Sequence, residues 1–222
     1  MSHDLDQGPM ITTPFETELY EKLSVFFAER GFELLPDRKQ FRKSTGTGFH
    51  NVIFSASYRT NEVWLEVSIG LRHQEIEFLA QQFLDNAEEF RDDANTLVVS
   101  VGKFNDDKYF KYRIQSPEDL DDACEQIKEF LLQQGFGFMA RYETLSSLNQ
   151  LFNTEPTKPC KFVYNQVHRS FKGVIAARFV NNERFLRLID LHRVQVAKNG
   201  ASVDEQQSFE RLLSFLLYHS LN

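Results

Sequence analysis

The sequence predicts an α+β fold: an antiparallel sheet of about five strands with an N-terminal helix and a helix-rich C-terminal half. Two observations carry that expectation. Residues 49–59 and 62–72 alternate apolar and polar side chains with a period of two, as half-buried strands do. From Ser116 onward the apolar residues recur at helical spacing, and no strand pattern returns. The 222 residues, 41% of them hydrophobic and 22 of them Phe, suffice to bury a substantial core without metals or disulfides.

Residues 1–13 read as a mobile polar tail without the basic and apolar regions of a signal peptide. Thr13-Pro14 is a cap followed by Pro at the first helical position, Leu19, Leu23, Phe26 and Phe27 share one face, and Gly31 is a stop, which predicts a helix over 14–30. A strand follows at 39–44, and Ser44–Gly48 is a turn. A loop at Thr60-Asn61 pairs Arg59 with Glu62, Tyr58 with Val63, Ala56 with Leu65, Phe54 with Val67 and Val52 with Ile69. A slip of one residue would turn every one of these side chains to the wrong face.

Beyond the hairpin, Ile76, Leu79, Ala80 and Phe83 predict a helix over 75–85. Strands are expected at 96–101 and 109–114, joined through Asn105-Asp106-Asp107. Ser116-Pro117-Glu118-Asp119 starts a helical run near 117–134, 138–152, 160–179, 182–198 and 203–220, with Gly135 and Gly200 as stops. Residues 14–222 read as one unit with an α+β part to 115 and a helical part from 116; the alternative is a two-domain split near 115. Phe26-Phe27 before Gly31-Phe32 is echoed by Phe130-Leu131 before Gly135-Phe136, a repetition that two ordinary helix stops explain.

The formal net charge is −7, which argues against bulk nucleic-acid binding. The charge is uneven: residues 85–129 hold 13 acidic and six basic side chains, and residues 158–200 hold nine basic and two acidic ones. This asymmetry implies either mutual docking of the two segments or a face for a charged partner. Cys124 and Cys160 form no metal-binding spacing and read as reduced, buried thiols of a cytoplasmic protein. No run approaches the ~20 apolar residues that span a bilayer.

The opening order is a helix, Gly31-Phe32, the basic strand Phe41-Arg42-Lys43, the hairpin, and Gly70-Leu71-Arg72 running into the Glu75 helix. Over about residues 14–115 it resembles a family of uncharacterised bacterial cytosolic domains. Some such small domains lie beside toxin genes and are suspected immunity proteins. The resemblance implies a protein partner and carries no site residues.

The hairpin register sets His50 opposite Leu71 and on the same face as His73, at a diagonal separation of about 7–8 Å. Glu75 follows two residues later. Two imidazoles and a carboxylate could hold a metal or share a proton; the plainer alternative is sheet-end groups bonded to backbone or water. Trp64, Glu66, Ser68 and Arg72 share the opposite face with Ser57, Ser55 and Phe49, either as a ligand groove or as a solvated face. Arg169, Lys172, Arg178, Arg184, Arg187 and Arg193 form a basic stretch, expected as a solvated face opposite Phe171, Val174, Ile175 and Phe185. His192 and His219 read as packed or boundary histidines. No serine nucleophile, phosphate loop or cofactor motif is present.

Three functional readings follow, in order. The first is a non-enzymatic interaction protein, immunity-like, whose acidic segment meets a basic partner. The second is a metal-dependent or hydrolytic enzyme using His50, His73 and Glu75. The third is a nucleic-acid binder through 169–193.

Overall fold

The computed structural model describes residues 12–218; residues 1–11 of the expected tail over 1–13, and His219, lie outside them. The elements run α1 (Pro14–Ala28), β1 (Glu33–Leu35), β2 (Gln40–Ser44), β3 (Gly48–Arg59), β4 (Glu62–His73), α2 (Gln74–Ala80), α3 (Glu88–Arg91), β5 (Leu97–Ser100), α4 (Val101–Phe104), β6 (Tyr112–Ile114), α5 (Pro117–Phe130), α6 (Phe136–Arg141), α7 (Leu145–Asn153), α8 (Gln166–Phe179), α9 (Phe185–Lys198) and α10 (Val203–Tyr218). Thr13 and Glu16 form a reciprocal capping box that starts α1, and Ser116 and Asp119 form another that starts α5. Gly31 and Gly200, at φ 76° and 77°, end α1 and α9 in the left-handed conformation that glycine adopts without strain.

The sheet has six antiparallel strands in the order β1-β2-β3-β4-β5, with β6 also beside β4. The β3–β4 register runs from Arg59 opposite Glu62 to Gly48 opposite His73, the pairing that the apolar alternation predicts. β1 goes beyond the expected five strands; three residues are too few to show a period. The two later strands do not pair with each other. β5 pairs with Ser68–Leu71 and β6 with Val63–Leu65, so they lie end to end along the same edge of β4. The expected strand over 109–114 shrinks to three residues because the chain first rounds a turn in which Asp107 N–H donates to Gly102.

Phe41, Val52, Phe54, Leu65, Val67, Ile69 and Leu71 are buried with Leu19, Tyr20, Leu23 and Phe27 of α1 in one contiguous core. Phe27 lies flat on Phe41 with ring centroids 4.1 Å apart, and Tyr20 meets Phe54 edge-on. At one end of the opposite face, the chain around 91–95 covers the sheet with polar contacts. Arg42 reaches Asp93 at 2.6 Å, and Asn51 donates to Asn95 at 3.1 Å. Gly70 permits this, because a Cβ there would stand 2.7 Å from Asn95 Oδ1.

The helical half is organised around α8, which is buried along most of its length and touches α2, α7, α9 and α10. The same core continues through it to Leu216. Three expected helices have different bounds. The one over 138–152 breaks at Tyr142–Thr144, where Thr144 caps α7 by accepting from Ser147 N–H. The one over 160–179 begins only at Gln166, because Phe162 O accepts from Val98 N–H and holds the preceding segment on β5. The one over 182–198 begins at Phe185. Gly135 is not a stop: the chain winds through one π-helical turn, Leu131–Gly135, and continues into α6.

α8 carries charge into the interior. Lys172 is ion-paired with the fully buried Glu77 of α2 at 2.8 Å and also donates to the Asn95 carbonyl at 2.6 Å. Glu77 accepts in addition from Gln81 at 2.8 Å. Arg169 has no carboxylate partner among the described residues; it donates to the Phe152 carbonyl in the last turn of α7, where the helix dipole is negative, and to the carbonyls of Glu155 and Lys158 in the segment that follows. His192 is fully buried and sits 2.7 Å from Asn153 Oδ1. The Asn153 amide already donates to Asn149 and Gly173, so its oxygen accepts and His192 Nε2 carries the proton. A Cβ at Gly173 would lie 2.8 Å from that nitrogen.

Two outcomes are expected. Lys172→Met or Glu77→Gln alone destabilises the fold by about 3–5 kcal/mol, because each strands a buried charge, whereas Glu77→Leu with Lys172→Met costs much less. Urea unfolding of the three variants decides this, and a double variant as weak as the singles would contradict it. The second outcome concerns His192, whose pKa burial pushes down to about 3. Its unfolded value is near 6.5, so its neutral form favours the fold fully above that pH. The contribution is lost as pH falls toward 3, at about 1.4 kcal/mol per pH unit. His192→Gln should be less stable at pH 7 yet flatten the slope of unfolding free energy between pH 6 and pH 4 by about that amount.

Candidate functional site

The core face of the sheet ends in an open cleft. Lys43 of β2 pairs with His50 of β3, so both stand at that end of the sheet. Residues after α1 and on α6 close the cleft to a cavity of about 540 Å3 lined by Arg30, Phe32, Lys43, His50, Phe136 and Glu143 among others. That volume lies in the range of small-ligand pockets. Phe136 stacks on Phe26 at 6.1 Å and tilts against Phe32 at 5.5 Å, giving the cleft an aromatic wall. The loop that carries Glu143 is tied to the β2–β3 turn, because Thr47 Oγ1 donates to the Glu143 carbonyl at 3.2 Å.

His50 is 8% exposed. Its Nε2 has no hydrogen-bond partner, and the nearest carboxylate oxygen, Glu143 Oε2, is 3.7 Å away. Burial lowers the His50 pKa; Glu143 opposes that shift and Lys43 adds to it. His73 is also buried, its backbone N–H donates to Thr96 Oγ1 at 2.9 Å, and its Nδ1 is unpartnered. Burial lowers its pKa too, with Glu75, Glu77 and Glu143 opposing. Glu75 is exposed on the first turn of α2. Among the described residues no group of three or more His, Cys, Asp or Glu could hold a metal ion, so His50, His73 and Glu75 do not make a metal site. The carboxylate that approaches His50 is Glu143, in the break between α6 and α7, within a stretch that reads as one continuous helix over 138–152.

The other expected sites separate. Trp64 donates to Glu62 at 2.7 Å and lies under the Arg59 guanidinium, while Glu66 faces Lys111 at 3.8 Å. Ser68 is half-buried. Arg72 is buried, donating to Gln74 and to the carbonyls of Arg91 and Ala94, so one end of the expected groove is filled. The basic stretch divides: Arg184, Arg187 and Arg193 are exposed as expected, whereas its α8 residues are buried or half-buried. Arg169 and Lys172 are internal, Arg178 donates to the Leu216 carbonyl, and Arg193 pairs with Glu210 and Asp190; Arg184 and Arg187 are exposed.

The acidic segment does face outward. Glu118, Asp122, Glu125 and Glu129 are exposed along one stripe of α5. The ion pairs made by residues 85–129 reach Lys22, Arg38, Arg42, Glu62, Glu66, Lys128 and Lys161; among the described residues Lys161, paired with Asp106, is the one member of the basic segment 158–200 reached, and none lies in 169–193. A groove of about 430 Å3 opens near the C-terminal end of the stripe, lined by Gly102, Asp107, Phe110, Glu129 and Gln133 among others. Tyr109 and Leu132, 76% and 57% exposed, stand near it in sequence.

The chain matches no protein-family model, and no curated protein or solved structure is significantly similar to it. Among the described residues no helix is long and apolar enough to cross a membrane.

In an NMR titration of the ring carbons, His50 and His73 should both protonate below pH 6.5. Glu143→Gln should lower the His50 midpoint and Lys43→Met should raise it, because the first removes a charge that favours imidazolium and the second one that disfavours it. Midpoints that do not move in these opposite directions would separate both residues from His50.

Proposed function

We propose that the chain is a non-enzymatic interaction protein, immunity-like in the sense of the resemblance above, that docks a basic partner against the acidic face of α5. One observation supports this reading most: the carboxylates of Glu118, Asp122, Glu125 and Glu129 are turned to solvent instead of being covered by the basic helices. Like charges held along one helix face repel each other, and a basic partner relieves that repulsion. The exposed Tyr109, Phe110 and Leu132 supply the apolar and aromatic contact that steering charges alone do not. Such an interface associates quickly and weakens with salt.

The test compares the full chain with a variant carrying Glu118→Lys, Asp122→Lys, Glu125→Lys and Glu129→Lys. Both are used as baits, and each captured protein is identified, purified and titrated. A basic protein should bind the original chain in a salt-dependent way and bind the variant at least about tenfold more weakly. If no captured protein distinguishes the two baits, α5 is not the docking face.

A further inference from the structure

The cleft at the end of the sheet is separate from the α5 face and holds charges that the fold itself does not neutralise. Lys43 has no carboxylate partner among the described residues; its ammonium lies 6.0 Å from the centre of the Phe32 ring. Among the described residues the Glu143 carboxylate has no Lys or Arg partner; it stands 3.7 Å from His50 Nε2. Arg30, the other cation of the cleft, is already engaged by the Phe26 carbonyl and Glu29. Among the described residues, then, a lysine without a carboxylate partner and a glutamate without a Lys or Arg partner line the same cavity as the Phe32–Phe136 wall. The π-helical turn Leu131–Gly135 immediately precedes Phe136, so the aromatic wall stands where the helical winding is irregular, as is frequent at functional sites.

We propose that this cleft binds a small zwitterion with a bulky apolar body, a free amino acid of the phenylalanine type. Its carboxylate would meet Lys43, its ammonium would meet Glu143, and its side chain would lie against Phe32 and Phe136. The nine-tenths-buried His50, whose Nε2 has no hydrogen-bond partner and stands 3.7 Å from Glu143, lines the same cavity and adds a polar contact. A simple carboxylic acid would leave Glu143 uncompensated, and a simple amine would leave Lys43 so. Either mismatch costs affinity, because charges in a partly closed cleft are screened less than at an open surface.

The experiment is calorimetric titration of the full chain with L-phenylalanine, phenylacetate, phenethylamine and glycine, with chemical shifts of His50 read in parallel. L-Phenylalanine should bind saturably and shift His50, and each of the other three should bind about tenfold or more weakly. Lys43→Met and Glu143→Gln should each weaken phenylalanine binding about tenfold while leaving thermal unfolding unchanged, and the four-lysine α5 variant should bind it as the original chain does. Absence of saturable binding up to the solubility limit would overturn the proposal. So would phenylacetate or phenethylamine binding as tightly as phenylalanine, or affinity unchanged in both single variants. None of these results bears on the α5 face, whose partner is scored separately.

Discussion

The twelve residues of β3 meet the twelve of β4 in unbroken antiparallel register, and the rest of the sheet is arranged around that pairing. Its parity decides which side chains join the core and which do not. Val52, Phe54, Leu65, Val67 and Ile69 turn toward α1, while Asn51, Gly70 and Arg72 turn toward the segment around 91–95. The same parity carries His50 to the core face at the point where the apolar contacts give out and the cleft begins. A slip of one residue would exchange the two faces and leave neither the Phe27–Phe41 stack nor the cleft.

The helical half depends on a different kind of contact. α8 enters the interior with Arg169 and Lys172 on it, and each charge is met by groups from elsewhere in the chain. Lys172 meets Glu77 and the Asn95 carbonyl, so α2, the 91–95 segment and α8 are held in one arrangement. Sliding α8 by a turn would leave those charges buried and unpaired, at a cost that apolar contacts do not impose for a similar shift. The hydrogen bond from Val98 to Phe162 extends the join along β5.

Much of this organisation was legible in the sequence, for identifiable reasons. Strict alternation with an even loop leaves one sensible register for β3 and β4. Thr13-Pro14, Ser116-Pro117, Gly31 and Gly200 work through local sterics and local hydrogen bonds, so they read correctly without knowledge of the fold. Gly135 has the same appearance as Gly31, yet the chain continues through it, because Phe136 goes on to pack against Phe26 and Phe32. The recurring Gly-Phe pairs at 31–32 and 135–136 were thus a sign of contact. The α8 part of the basic stretch misled because charges on an amphipathic helix ordinarily face water, and nothing local reveals that Glu77 and the carbonyls of Phe152, Glu155 and Lys158 await Lys172 and Arg169. Of the cleft, His50 was placed by register alone. Glu143 and Lys43 were invisible as partners, since one falls in a stretch that reads as helix and the other looks like any lysine at a strand end.

The outer strands of the sheet are short. β1 has three residues and runs into Pro36, and β5 and β6 divide the far edge of β4 between them. Part of β5 is further occupied by the Phe162 carbonyl. Molecules that recruit or polymerise with others by adding a strand need a long row of free backbone donors and acceptors, and these edges offer only brief ones. At these edges side-chain contacts are favoured over strand addition, and selectivity of that kind rests on individual residues and can be retuned by single substitutions.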